Sequence, residues 1–331
     1  LVGNELPILP SCEDTFTLLV AAERSRAGFC MEDPAMTAWY RWPTILLALA
    51  ICAQATAAED IKPDREIVYK TVGKTVLRLH VFFPPDHQAG DKRAAIVFFF
   101  GGGWVGGSPG QFYPHCQYFA SRGMVAVSAE YRVKSRHGTS PYECVLDGKS
   151  AVRWLRLHAS ELGIDPRRIA AGGGSAGGHV AAATATLEGF REPAEGREIS
   201  ATPNALVLFN PVFDNGPEGY GYERVKDRWR EFSPLHNITG EAPPTIVFLG
   251  TKDKLIPVST AREYRKRMTD AGCRCDLHLY EGQPHGFFNY RDSENPYYNA
   301  TVYEADKFLA SLGYIQGAPT IPNKQVKAAS P

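Results

Sequence analysis

Residues Gly173, Gly174, Ser175, Ala176 and Gly177 form a G-x-S-x-G run between an apolar stretch at 168–171 and a helix-forming stretch at 180–183. A strand, a sharp turn and a helix in that order would lift the serine hydroxyl to the tip of a strained turn, with glycines removing the side chains that would collide across it. Ser175 is therefore a candidate nucleophile. The competing reading is a phosphate cradle, because 172–178 is rich in glycine. No Lys-Ser/Thr pair follows as in a P-loop, and the glycine spacing does not give G-x-G-x-x-G, so the nucleophile reading leads.

A serine hydroxyl is inert near neutral pH until a base takes its proton. His285, flanked by Pro284 and Gly286 after the strand candidate at 276–280, is the best-placed base. His179 falls one helical turn after Ser175 and reads as a packing residue, while His115, His137 and His158 lie outside the expected loop. For an orienting carboxylate, Asp253 stands just past the strand candidate at 245–249. Its rival is Asp214, after the preceding strand; Asp147 and Asp165 read as helix and turn residues. Upstream, a buried strand at 94–100 runs into Gly101, Gly102, Gly103 and Trp104, where a glycine triplet frees backbone N–H groups to face a ligand. The N–H of Ala176, first in its helix, points where negative charge would develop on an attacked carbonyl, and the helix dipole adds to it. Trp104, Phe112, Tyr113 and Phe287 are candidates to wall the acyl or alcohol side.

These residues give the chain a resemblance, over roughly 65–313, to α/β-hydrolases of the hormone-sensitive-lipase-like and acetyl-xylan/feruloyl-esterase-like branches. The marks of those branches are H-G-G-G-W, G-D-S-A-G-G and a late D…H-G-F. Here they stand as Phe100-Gly101-Gly102-Gly103-Trp104, Gly173-Gly174-Ser175-Ala176-Gly177-Gly178 and Asp253…His285-Gly286-Phe287. The resemblance implies a serine carboxylesterase with a Ser175–His285–Asp253 triad, an oxyanion hole from Gly102, Gly103 and Ala176, and no metal or cofactor. Two departures stand out: Phe100 replaces the usual histidine and Gly174 the usual acid. Neither removes a triad member or an oxyanion donor.

The elements that must position these residues follow from hydrophobic periodicity. Strands are expected at 66–72, 76–83, 94–100, 125–129, 168–172, 205–210, 245–249 and 276–280, and helices at 112–122, 142–162, 176–187, 258–271 and 300–312. The first two strands alternate like a hairpin and the rest are continuous apolar runs, so the expected fold is α/β: an eight-stranded, mostly parallel sheet with helices on both faces. One domain, 58–315, accommodates it. The stretch 211–241 has no clear period and carries five aromatic residues amid charges, which reads as a small cap or lid; the tail at 316–331 reads as mobile.

Zero formal net charge leaves no basic footprint for nucleic acid and no acidic one for disorder. From Met36, a single-arginine segment, an apolar run at 45–51 and overlapping A-x-A sites describe a secretory signal peptide over 36–57, too short to span a membrane. Residues 1–35 then read as an over-extended translation start, and the expected location is secreted or periplasmic without stable membrane insertion. Cleavage would leave Cys116, Cys144, Cys273 and Cys275, a number that permits disulfides without requiring them. No histidine lies at ligand spacing from these cysteines, so a metal site is not expected. The expected substrate is a small ester or an acylated plant or algal glycan. The alternatives are a peptidase of prolyl-oligopeptidase type and a non-catalytic binding module.

Overall fold

A computed structural model of the protein describes residues 61–193, 195–196, 198–291 and 295–330. The expected signal peptide and the segment before it lie outside the described residues. The chain builds one sheet in the order β1-β2-β4-β3-β5-β6-β7-β8-β9. Strand β1 (Arg65–Val72) forms an antiparallel hairpin with β2 (Thr75–Phe82), whose other edge runs antiparallel to β4 (Val125–Ala129). From β4 onward β3 (Arg93–Phe99), β5 (Ile164–Gly174), β6 (Ala205–Phe209), β7 (Thr245–Gly250) and β8 (Cys275–Tyr280) are parallel. The continuous apolar runs of β3 to β7 fit this placement, because helices cover both faces of a parallel sheet and each strand is buried on both sides.

A ninth strand adds to the eight expected. Residues Ala328–Ala329, within the tail expected to be mobile, form β9 antiparallel to β8, and the Glu281 N–H donates to the Lys327 carbonyl at 2.9 Å. The outer edge of β8 carries unpaired backbone groups, and the returning tail satisfies some of them. Strand β5 begins four residues earlier than expected, since Ile164 already pairs with Arg93 before a register shift in β3.

Among the described residues five helices of two turns or more connect the strands: α1 (Tyr113–Ser121), α2 (Pro141–Leu157), α3 (Ala176–Thr186), α4 (Val258–Asp270) and α5 (Pro296–Ser311). Helix α2 starts with a capping box in which Ser140 and Glu143 exchange hydrogen bonds with each other's backbone. Helix α5 starts four residues before the expected position because the Asn295 side chain caps it and Pro296 occupies its first position. Helix α3 is apolar or small on every face and is almost wholly buried, which is how the chain carries the turn at Ser175 into the core. Between β6 and β7, 211–241 runs as short turns of helix, Tyr222–Val225 and Trp229–Phe232, anchored by Phe213 stacked on Tyr264 at 3.7 Å and by Phe232 against His179 at 4.3 Å. Among the described residues no helix is long and apolar enough to cross a membrane. Cys116, Cys144, Cys273 and Cys275 are all unbridged; burial raises the pKa of the first two and keeps them as thiols.

His115 of α1 has a pH consequence. It is fully buried among Phe98, Phe112, Phe209, Phe288 and Tyr298, neither ring nitrogen has a partner among the described residues, and burial drives its pKa from 6.5 down to about 3. The unfolded chain then binds a proton that the folded chain refuses, so this contribution is intact above pH 6.5 and is lost as pH falls from there towards 3. At pH 5 the loss is about 2 kcal/mol. His115→Phe is expected to keep the aromatic packing and to remove that loss, which urea unfolding at pH 7.5 and pH 5 measures. An equal acid destabilisation in parent and variant would refute the assignment.

Candidate active site

In an open parallel sheet a crevice opens where neighbouring strands send their connections to opposite faces, beyond their carboxyl ends. Here that point lies between β3 and β5, which end at Phe99 and Gly174. The glycine triplet follows the first and Ser175 the second. Ser175 has φ 55° and ψ −120°, a strained conformation for a side-chain-bearing residue, and the turn closes so tightly that a Cβ on Gly177 would lie 2.0 Å from the Phe99 carbonyl oxygen. Only glycine fits at 177. The turn is pinned by the Ser175 N–H donating to the Phe209 carbonyl at 3.0 Å and by the Ser175 carbonyl accepting from the N–H groups of His179 (3.0 Å) and Val212 (3.2 Å).

The structure brings Ser175, His285 and Asp253 into one hydrogen-bonded line. His285 Nε2 is 2.9 Å from Ser175 Oγ, and His285 Nδ1 is 2.7 Å from Asp253 Oδ2. The Asp253 carboxylate is fully buried, and its other oxygen accepts from the N–H groups of Leu255 (2.8 Å) and Ile256 (3.0 Å). With both oxygens engaged the carboxylate has one orientation, and the tautomer that suits it carries the imidazole proton on Nδ1. Nε2 then faces the serine with a free lone pair. Asp214 is elsewhere: its Oδ1 accepts from the Gly216 N–H and lies 3.9 Å from His236 Nδ1.

Ser175 and His285 open onto a cleft of about 430 Å³ that Gly101, Gly102, Gly103, Asn210, Tyr220 and Arg224 also line. Gly102 and Gly103 have φ of 122° and 62°, a path that turns the loop back on itself, and Val105 and Gly106 both donate to the Gly102 carbonyl. The N–H groups of Gly102, Gly103 and Ala176 have no hydrogen-bond acceptor among the described residues. Such free donors around a serine hydroxyl can receive an oxyanion.

Comparison with known proteins agrees with this geometry. The family model BD-FAE matches residues 79–209, and that of the Dienelactone hydrolase family matches 220–315. Esterase LipC of Mycobacterium tuberculosis is 34% identical over 214 residues, 58% of this chain and 52% of that protein. The chain spans about half the length of the first curated relatives it matches. The solved structure of a thermophilic esterase from Thermogutta terrifontis, Est2 with propionate bound, is 46% identical and superimposes with a TM-score of 0.73, covering 76% of this chain and 96% of that one. Thermogutta terrifontis esterase 2 phosphorylated by paraoxon matches with the same identity and TM-score over 76% and 95%. The chain belongs to the α/β-hydrolase carboxylesterases.

Within that family its two departures have structural replacements. The Phe100 ring, fully buried, stacks on Tyr131 at 4.1 Å, and the Tyr131 hydroxyl donates to the Phe100 carbonyl. The loop is also held from the opposite side. Gln111 Oε1 accepts from the Gly101 N–H at 2.6 Å, Gln111 Nε2 donates to Asn289 Oδ1 at 2.8 Å, and Asn289 Nδ2 donates to the Gly286 carbonyl at 2.9 Å. The Gly286 N–H in turn donates to Asn210 Oδ1 at 2.9 Å. A chain of amides thus ties the glycine loop to the histidine loop. At 174 the missing acid leaves no hole, because the Phe288 ring occupies its place; a Cβ there would meet the ring at 2.4 Å.

None of the four aromatic residues expected to wall the cleft lines it. Phe112 is fully buried and stacked on Phe98 at 4.9 Å, turned into the core by the helical turn Pro109–Phe112. Tyr113 faces β2, its hydroxyl 2.8 Å from His80 Nδ1. Phe287 packs on Tyr280 at 5.1 Å, and its neighbour Phe288 lines the cleft instead. Trp104 is buried, edge-on to His179 at 5.1 Å, behind the cleft wall. The residues that sequence reasoning missed are Gln111, Asn289, Asn210, Tyr220 and Arg224; amides and surface charges on loops carry no periodic signal.

The amide chain predicts a measurable coupling. In Gln111→Ala the buried Gly101 N–H loses its acceptor, an effect worth about 1–3 kcal/mol, and the loop loses its tie to Asn289. kcat for a short aryl ester is expected to fall about tenfold or more with KM little changed, because a displaced donor is felt chiefly in the transition state. Asn289→Ala added to Gln111→Ala should cost little more. An unchanged kcat, or strict additivity of the two substitutions, would exclude the coupling.

Proposed function

We propose that the protein hydrolyses short-chain carboxylic esters through an acyl-enzyme, with Ser175 as nucleophile, His285 as base and Asp253 as the orienting acid. The observation that carries this reading is the unbroken line from Asp253 through His285 to Ser175 beneath free N–H donors. Ser175 Oγ attacks the ester carbonyl as its proton passes to His285 Nε2, and the imidazolium is stabilised by the Asp253 carboxylate. The carbonyl oxygen, now negative, is received by the N–H groups of Gly102, Gly103 and Ala176. His285 returns the proton to the departing alcohol, leaving the acyl group on Ser175. Water then enters, loses a proton to His285, and releases the acid and the free serine.

A cleft of about 430 Å³ favours small acyl groups, and the propionate and butyrate bound to the Thermogutta terrifontis esterase are in keeping with that size. The signal-peptide pattern after Met36 supports export, and with it an acetylated or feruloylated glycan as one natural ester. This glycan step rests on analogy with the polysaccharide-deacylating branch. Aryl esters from acetate to octanoate, assayed beside acetylated xylan and a proline-containing peptide, test the whole reading. Rates highest at two to four acyl carbons support it; cleavage of the peptide alone would move the protein to the peptidases. Expression from Met36 in a secreting host tests export, which an uncleaved product retained in the cytoplasm would contradict.

A further inference from the structure

Beside the cleft lies a second, larger chamber of about 700 Å³. Gly103, Val105 and Arg224 line both, so these three residues form the partition between them. Trp104 forms part of its wall, and the far side comprises Lys134, Ser135, Thr139 and Ser140. The partition depends on one side chain: an Arg224 Nη1–H donates to the Gly103 carbonyl, and the guanidinium lies 5.8 Å from the Trp104 ring and 5.5 Å from the Tyr220 ring.

Two features distinguish this chamber. The Trp104 indole Nε1 and the Thr139 hydroxyl are buried atoms with no hydrogen-bond partner among the described residues, although buried indole N–H groups ordinarily have one. The charges are also unbalanced. Glu223, the chamber's one carboxylate, is 3.6 Å from Lys226 Nζ, whereas Arg224 and Lys134 have no carboxylate within ion-pair distance among the described residues. The lining thus carries two cations, Arg224 and Lys134, against one carboxylate, and two of its residues, Trp104 and Thr139, hold buried polar atoms without a partner among the described residues. Its complement is an anionic, oxygen-bearing group, and the planar fork of Arg224 suits a carboxylate better than a single-point acceptor.

We propose that the second chamber receives a carboxylate on the acyl portion of the substrate, so that half-esters of dicarboxylic acids are preferred over uncharged analogues, with Arg224 as the specificity-determining residue at the partition. This inference rests on the ester-hydrolysis reading above. The carboxylate pairs with Arg224 and Lys134 while the scissile ester sits at Ser175 on the other side of Gly103. A charge held beyond Gly103 secures the acyl chain without altering the chemistry.

The test compares the monoethyl esters of succinic, glutaric and adipic acid with the ethyl esters of the corresponding terminal amides, by titration of released acid. At least one acid is expected to exceed its amide by about tenfold in kcat/KM, with the advantage shrinking as salt rises from 10 mM to 1 M. Arg224→Gln should lower that acid-to-amide ratio by about tenfold, and Lys134→Gln should lower it by a smaller factor. A wild-type ratio at or below one for all three chain lengths would overturn the inference, as would a ratio insensitive to both substitutions. If neither the acids, the amides nor a simple aryl acetate is hydrolysed, it is the ester-hydrolysis reading that fails.

Discussion

Ser175→Ala is expected to fold as the parent does and to lose ester hydrolysis by on the order of 10⁵-fold. The position keeps its pins, since the Ser175 N–H and carbonyl bonds to Phe209, His179 and Val212 are all backbone. What disappears is the one hydroxyl 2.9 Å from His285 Nε2. Paraoxon provides an independent readout, because it phosphorylates the Thermogutta terrifontis esterase. Intact mass should show one phosphoryl adduct on the parent, on the peptide containing Ser175, and none on the variant. An adduct on another residue, or a variant that turns over esters at more than a hundredth of the parent rate, would remove Ser175 from the mechanism.

Asp253→Asn is expected to lower kcat on the order of 10⁴-fold with little change in fold. The reason lies in how the carboxylate is divided. One oxygen accepts two backbone N–H groups, from Leu255 and Ile256, and the other faces His285 Nδ1. An amide satisfies the two backbone donors only by turning its oxygen to them, which presents its NH₂ group to the imidazole. Nδ1 must then accept, the ring proton moves to Nε2, and the nitrogen facing Ser175 can no longer take a proton. Asp214→Asn touches none of this and should stay within about twofold of the parent in kcat. Measuring both variants on one ester decides between them, and a larger loss in Asp214→Asn would transfer the orienting role to the strand before.

The positions of Ser175, Asp253 and His285 were legible because residue type and place in the pattern agreed. Ser175 and Asp253 follow continuous apolar runs and His285 follows the half-buried strand β8, and the sheet carries the ends of all three to one rim. The lining was not legible. Phe112 and Phe287 are close to the motifs in sequence, but one turn of helix sends the first into the core, and a single residue step separates Phe287 from Phe288, which reaches the cleft. Gln111 and Asn289 are 178 residues apart, and two loop amides show their partnership only once the strands between them are paired. Strand β9 was not legible for a related reason: nothing in 316–331 has strand periodicity, and Ala328–Ala329 takes its strand pairing from the edge it meets.

Phe288 over Gly174 bears on how such an enzyme can change by descent. The ring and a side chain at 174 compete for one volume, since a Cβ at 174 falls 2.4 Å from the ring. An acid at 174 therefore requires the Phe288 ring, only 1% exposed, to move. Each single step passes through a clash or a vacated core position, whereas the paired exchange conserves volume. The two sites are therefore coupled, and the effect of a substitution at either is expected to depend on the residue at the other.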